Sequence, residues 1–190
     1  MLPRAILDFW FAPPGSTEHG TARAAWFKKD PAFDAEIART FGDTVAAAVA
    51  GAYGEWCLTA TGALARVLLL DQFTRNMYRD TPRAFAGDAR ALATAEDVLA
   101  RDLDQTLAPY ERWFLYMPFQ HAEDVHAQRR SLELFGALAR DMGQSQPLTW
   151  AEKHAEIIFR FGHFPHRNEI LGRASTPEEE AFLAQPGSRF

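Results

Sequence analysis

A single cysteine, Cys57, stands in this chain, so no internal disulfide can form. A reducing compartment fits, and a cytoplasmic location is expected. Long apolar runs are missing as well. "VLLL" at 67–70 falls far short of the roughly 20 residues that a membrane helix needs. The opening "MLPRAILDFWF" holds Asp8 inside its apolar stretch, with no small-residue cleavage site after it, and reads as no signal peptide. A membrane partner is therefore not expected. Basic surplus is absent too. The net charge is −5 and the longest like-charge block is "EEE" at 178–180, which argues against a nucleic-acid partner. β-Branched residues are scarce and no run alternates apolar with polar, which argues against a sheet. There is no Gly-rich phosphate loop, HExxH, CxxC or GxSxG, and no two Glu-x-x-His motifs of the di-iron bundle type. Those absences disfavour nucleotide sites of the common kinds, zincin and di-iron chemistry, and the serine nucleophile elbow.

What is present is an apolar, aromatic-rich helical pattern. At 190 residues the chain suffices for one domain with a full core, and fifteen Phe, five Trp and four Tyr favour that core being well filled. Pro3 opens a helix to Phe11. "TARAAWFKK" predicts a short helix. Asp30 and Pro31 cap and start another, with an inner stripe of Phe33, Ile37, Phe41, Val45, Ala48 and Ala52. Helices are predicted over 63–77 and, capped by Asp88, to Leu99. Pro109 starts the longest, reaching about Arg140, with Pro118 expected to kink or divide it. Thr149 is expected to cap a helix to Phe161, and Thr176-Pro177 to open the last one, ending near Ala184. Residues 185–190 read as a loose tail. The fold class is all-α, a single helical domain over 1–190.

The informative feature is polar residues on buried stripes. Asp71 continues the stripe of Leu64, Val67 and Leu68, with Arg75 one turn on. His121 and Asp124 interrupt the longest helix, and His154 sits among Trp150, Ile157 and Ile158. A buried carboxylate needs a partner. The loop "RFGHFPHRN" at 160–168 offers nitrogen donors in Arg160, His166, Arg167 and Asn168, and Arg173 follows. "FTRNMYRDTP" at 73–82 weakly echoes "FPHRNEILGRASTP" at 164–177, so Asn76 and Asn168 stand as helix-ending counterparts. Glu111, beside Arg112, completes the candidate pocket: Asp71, Arg75, Asn76, Glu111, His121, Asp124, His154, Arg160, His166, Arg167 and Asn168.

Three readings stay open. The first is a pocket that binds a small anion or an acidic peptide end, since arginine forks suit carboxylate and phosphate. The second is a metal-assisted hydrolase: His121-x-Glu123-Asp124 with His154 and His166 supplies enough ligands, of which His121, Asp124 and His154 are the candidate set, although the spacing is not diagnostic. The third is a structural ion-pair network, with any interaction surface elsewhere. No cofactor is required by the sequence.

Longer stretches carry a resemblance. "ILDFWF" at 6–11, "WFKKD" at 26–30, "LLLDQFTRNMYR" at 68–79, "ERWFLYMPFQHAED" at 111–124, "RFGHFPHRN" and "LGRAST" resemble the bacterial domain-of-unknown-function family 924. The resemblance implies an antiparallel array of about eight helices of the tetratricopeptide-like superfamily, and brings no activity with it. It also makes His166-Arg167-Asn168, rather than His163, the centre of the loop.

Overall fold

In the computed structural model, which describes residues 2–188, every regular element is helical. Helix α1 (Pro3–Phe11) starts on Pro3 and buries Ile6, Leu7, Trp10 and Phe11. The segment expected as a second short helix keeps only one 3₁₀ turn, Ala24–Trp26. Helix α2 (Pro31–Val49) is capped by Asp30, whose carboxylate accepts from Ala32 N at 2.9 Å and Phe33 N at 3.3 Å. Ile37, Phe41, Val45 and Ala48 face inward at helical spacing.

Helix α3 (Ala60–Val67) begins earlier than expected, because Thr59 caps it through Gly62 N. It runs without a break into a π-helical segment (Leu68–Phe73) and then α4 (Thr74–Met77). Helix α5 (Asp88–Ala100) has Gly87, not Asp88, at its cap position. Helix α6 (Pro109–His121) carries Pro118 inside it without dividing there. The division comes later, at Ala122–Asp124, after which α7 (Val125–Met142) begins. Helix α8 (Gln146–Phe161) starts before Thr149, with Pro147 in its first turn. Thr176 caps α9 (Pro177–Leu183) in a reciprocal box with Glu179. Counting α3 to α4 as one rod, the described residues hold eight helices of α type. Gln185 to Ser188 fold back in a turn, with Ser188 Oγ donating to Leu183 O, and positions 189 and 190 of the expected tail lie outside the described residues.

The main core is aromatic. Trp10 lies 5.5 Å from Phe73 and 5.3 Å, edge to face, from Phe114, and all three rings are fully buried. Helices α1, α3, α5 and α6 pack around it, and α7 and α8 extend the array by packing each on its predecessor. A smaller cluster of Ile157, Ile158 and Phe164 lies beneath α8 and the loop that follows. Asp71, His121, His154 and Arg167 meet between these two cores.

Candidate functional site

The π-helical segment places Asp71, which has no exposed surface. Such segments disrupt the regular α ladder, and side chains take up the carbonyls here. Thr74 Oγ1 donates to Leu70 O at 2.8 Å, and Arg75 donates to Asp71 O at 2.8 Å. Helix α5 meets this segment through Gly87: a Cβ there would lie 2.1 Å from Leu70 O, so only glycine permits the approach. That contact sets Asp88, the first residue of α5, beside Arg75.

The Asp71 carboxylate is fully engaged. Oδ1 receives His121 Nδ1 at 2.7 Å and Arg75 Nη1 at 3.1 Å, and Oδ2 receives Gln72 Nε2 at 2.6 Å. Arg75 also forks onto Asp88, at 2.8 and 2.9 Å. His154 Nδ1 donates to Trp150 O at 2.8 Å, and its ring centre lies 5.9 Å from that of His121.

The loop after α8 closes the other side. Arg167 of this loop and Gln128 of α7 together satisfy the carbonyls left open where α6 ends. Arg167 donates to His121 O at 3.1 Å, while the amide of buried Gln128 reaches Phe119 O, Gln120 O and Ala122 O. Glu123 pins the loop from below, accepting Phe164 N at 2.8 Å and both arms of Arg173 at 2.7 and 2.9 Å. The Arg167 guanidinium lies between the rings of Phe85 and Phe164, 4.5 Å from each centre.

Burial alone would raise the Asp71 carboxyl, but the charge of Arg75, then His121 and the hydrogen bonds, outweigh it and hold it well below the ordinary value. Asp71 is therefore ionised and only accepts, so His121 donates from Nδ1. Burial lowers His121 more than Asp71 raises it, with Arg75 adding to the lowering, and the imidazole is neutral at pH 7. It therefore carries its lone pair on Nε2. Burial, with the nearby His121, pushes His154 down to about 3, so it is neutral too. Arg167, pushed down to about 10 by burial and by Arg75, stays charged.

Asp71, Arg75, His121, His154 and Arg167 thus converge, and His166 lies alongside, 5.6 Å from the Phe164 ring. The group reaches solvent through His121, Arg75 and Asp88, whose side chains are 14%, 19% and 22% exposed. The other candidates are occupied elsewhere. Asn76 binds Asp34 on α2 at 2.7 Å, alongside Arg79. Glu111 accepts Ala108 N at the opposite end of α6. Asp124 is exposed and caps α7 through Ala127 N at 2.7 Å, so it does not share a face with His121. Arg160 pairs with Glu178 on the surface, and Asn168 is buried against Ser175. Among the described residues no three His, Cys, Asp or Glu side chains are grouped to hold a metal ion. The sequence reading overlooked Asp88 and Gln72 as partners of Arg75 and Asp71, and Phe85 as a platform for Arg167. For Asp88 a cap was the stronger local signal. Phe85 gave none.

An all-helical protein with a charge-balanced Arg/His/carboxylate cluster is the class that these features define. Residues 6–187 match the family described as "Bacterial protein of unknown function (DUF924)", and the chain belongs to that family. A solved structure entitled "Structure of Protein of Unknown Function ATU0120 from Agrobacterium tumefaciens" is similar to it at 39% identity, with a TM-score of 0.82 and 96% of each chain covered. No curated protein matches.

Proposed function

We propose that the cluster around Arg167 binds a small molecule through an acidic group, a carboxylate or phosphate, or the acidic end of a peptide. The observation that carries this is the unequal pairing of the charges. Three arginines (75, 167, 173) face three carboxylates (Asp71, Asp88, Glu123), yet Asp71 takes three donors and both Asp88 and Glu123 take forked arginines. Among carboxylates Arg167 has only a 3.6 Å approach to Asp88; its hydrogen bond goes to the neutral His121 O, and its Nε is buried without a hydrogen bond, with 6% of the residue exposed. A buried, under-compensated guanidinium favours an incoming anion.

The metal-assisted reading loses its carboxylate, since Asp124 is committed to capping α7. A metal-free acid–base role is supported instead by one observation, the ionised Asp71 orienting the neutral imidazole of His121. We read the chain as one helical domain acting in the cytoplasm. The stacking of α5 on α6, α6 on α7 and α7 on α8 supports the tetratricopeptide-like resemblance.

Thermal melting against inorganic phosphate, sulfate, citrate and glutamate tests the binding reading. A ligand present at 100 times its Kd stabilises the fold by about 2.7 kcal/mol, and Arg167→Met should abolish that shift. If no anion raises the melting temperature, while Arg167→Met and His121→Ala both lower it, the cluster is a structural network.

A further inference from the structure

A second site lies at the opposite end of α6, away from Asp71 and His121. A cavity of about 310 Å³ opens between the start of α6, the end of α7 and the loop after α1. Its walls are unusual in composition: Phe11, Trp26 and Tyr110 supply aromatic surface, and Glu111 and Asp141 supply carboxylates. Among the described residues no lysine or arginine lines it.

The aromatic groups are fixed in place. Trp26 donates its indole N–H to Trp10 O at 2.8 Å, and its ring centre lies 5.5 Å from Tyr110 and 5.7 Å from Phe11. The loop wall is held by His19, whose Nδ1 lies 2.9 Å from Ala12 O. Each carboxylate is half used. Glu111 Oε2 accepts Ala108 N at 2.9 Å, and Asp141 Oδ2 accepts Arg112 Nη1 at 2.8 Å. Their remaining oxygens carry no hydrogen bond from the described residues. With Arg112 counted against the two carboxylates, one negative charge is left over.

We propose that this cavity binds an organic monocation with an apolar body, of the alkylammonium class. Rigid aromatic surface attracts a cation through the ring quadrupoles, and two carboxylates at the same opening fix the sign of the guest. The volume lies at the small end of the range for ligand sites, which favours a compact cation over a flat nucleobase. The site is separate from the anion reading: one end of α6 gathers arginine and imidazole, the other gathers aromatics and acid.

The test uses choline and dimethylbutanol, which replaces the ammonium nitrogen of choline by carbon, titrated into the full chain and read by tryptophan fluorescence and calorimetry. Choline should give a saturable signal, with dimethylbutanol weaker by about tenfold or more. Glu111→Gln keeps an oxygen to accept Ala108 N–H, so the capping contact survives. It should weaken choline by about fivefold and leave dimethylbutanol unchanged. Sedimentation with phosphatidylcholine vesicles, competed by choline, distinguishes a lipid headgroup from a free small cation. Equal binding of choline and dimethylbutanol, or no saturable signal from choline with protein that melts cooperatively, overturns the proposal.

Discussion

His121 Nδ1 and Asp71 Oδ1 lie 2.7 Å apart, although fifty residues separate them in the chain. The carboxylate has no exposed surface, so its charge exists in the fold only because Arg75, His121 and Gln72 surround it. Removing one member of such a set costs more than the set contributes as a whole, because the others are left in a poor solvent.

Asp71→Asn should therefore destabilise the protein by about 3 kcal/mol, measured by urea unfolding. It also removes the charge that raises the His121 pKa. The imidazole titration, followed by NMR, should move to still lower pH. A midpoint that stays in place or rises would show that Asp71 does not govern this ring.

Gly87→Ala should cost about 1–3 kcal/mol, because the new Cβ would fall 2.1 Å from Leu70 O. The clash is with main chain, which cannot rotate away. The start of α5 has to retreat and take Asp88 from Arg75. A fully stable Gly87→Ala protein would contradict the close approach.

His154 gives the acid sensitivity. Its folded pKa, about 3, lies below the free imidazole at 6.5, so the unfolded chain takes up this proton first. The contribution is intact above pH 6.5 and is lost as the pH falls toward 3. It amounts to about 5 kcal/mol at most. His154→Phe, which keeps the ring packed on Phe164, should flatten stability between pH 6 and pH 4. An unchanged slope in unfolding midpoints across that range would refute the assignment.

Anion binding, if it occurs beside His121, should strengthen as the pH is lowered from 7.5 toward 6. The imidazole is neutral in the free protein, and an adjacent anion favours its protonated form. Full coupling of one proton gives about tenfold in affinity per pH unit. Calorimetry in buffers of different ionisation enthalpy counts the proton directly, and an affinity that does not vary with pH would place the anion away from His121.

Much of this architecture was legible in the sequence, for local reasons. Pro3, Asp30-Pro31 and Thr176-Pro177 mark helix starts because a cap and a first-turn proline act within a few residues. The intrusion of Asp71, His121 and His154 into apolar stripes pointed to side chains that the fold brings close together. What failed depended on distant partners. Pro118 looked like the break in the long helix, yet α6 continues through it. The division falls at Ala122–Asp124, where Glu123 is held by Arg173 and Phe164, fifty and forty-one residues away. Asp124 read as buried because the stripe was assumed to continue, and the division turns it outward. The π-helical segment left no compositional trace, since its register is set by what Gly87, Thr74 and Arg75 supply to its carbonyls.

That segment has a consequence for how the chain tolerates change. It accommodates an extra residue between Val67 and Thr74, and so rotates everything after it. Beyond it, neighbouring residues serve different helices: Arg75 is turned to Asp88 on α5, and Asn76 to Asp34 on α2. Shortening the rod by one residue would leave a perfectly good helix, yet aim both side chains at the wrong neighbours. Insertions and deletions between Leu68 and Phe73 are thus a harsher constraint on this protein than most substitutions there.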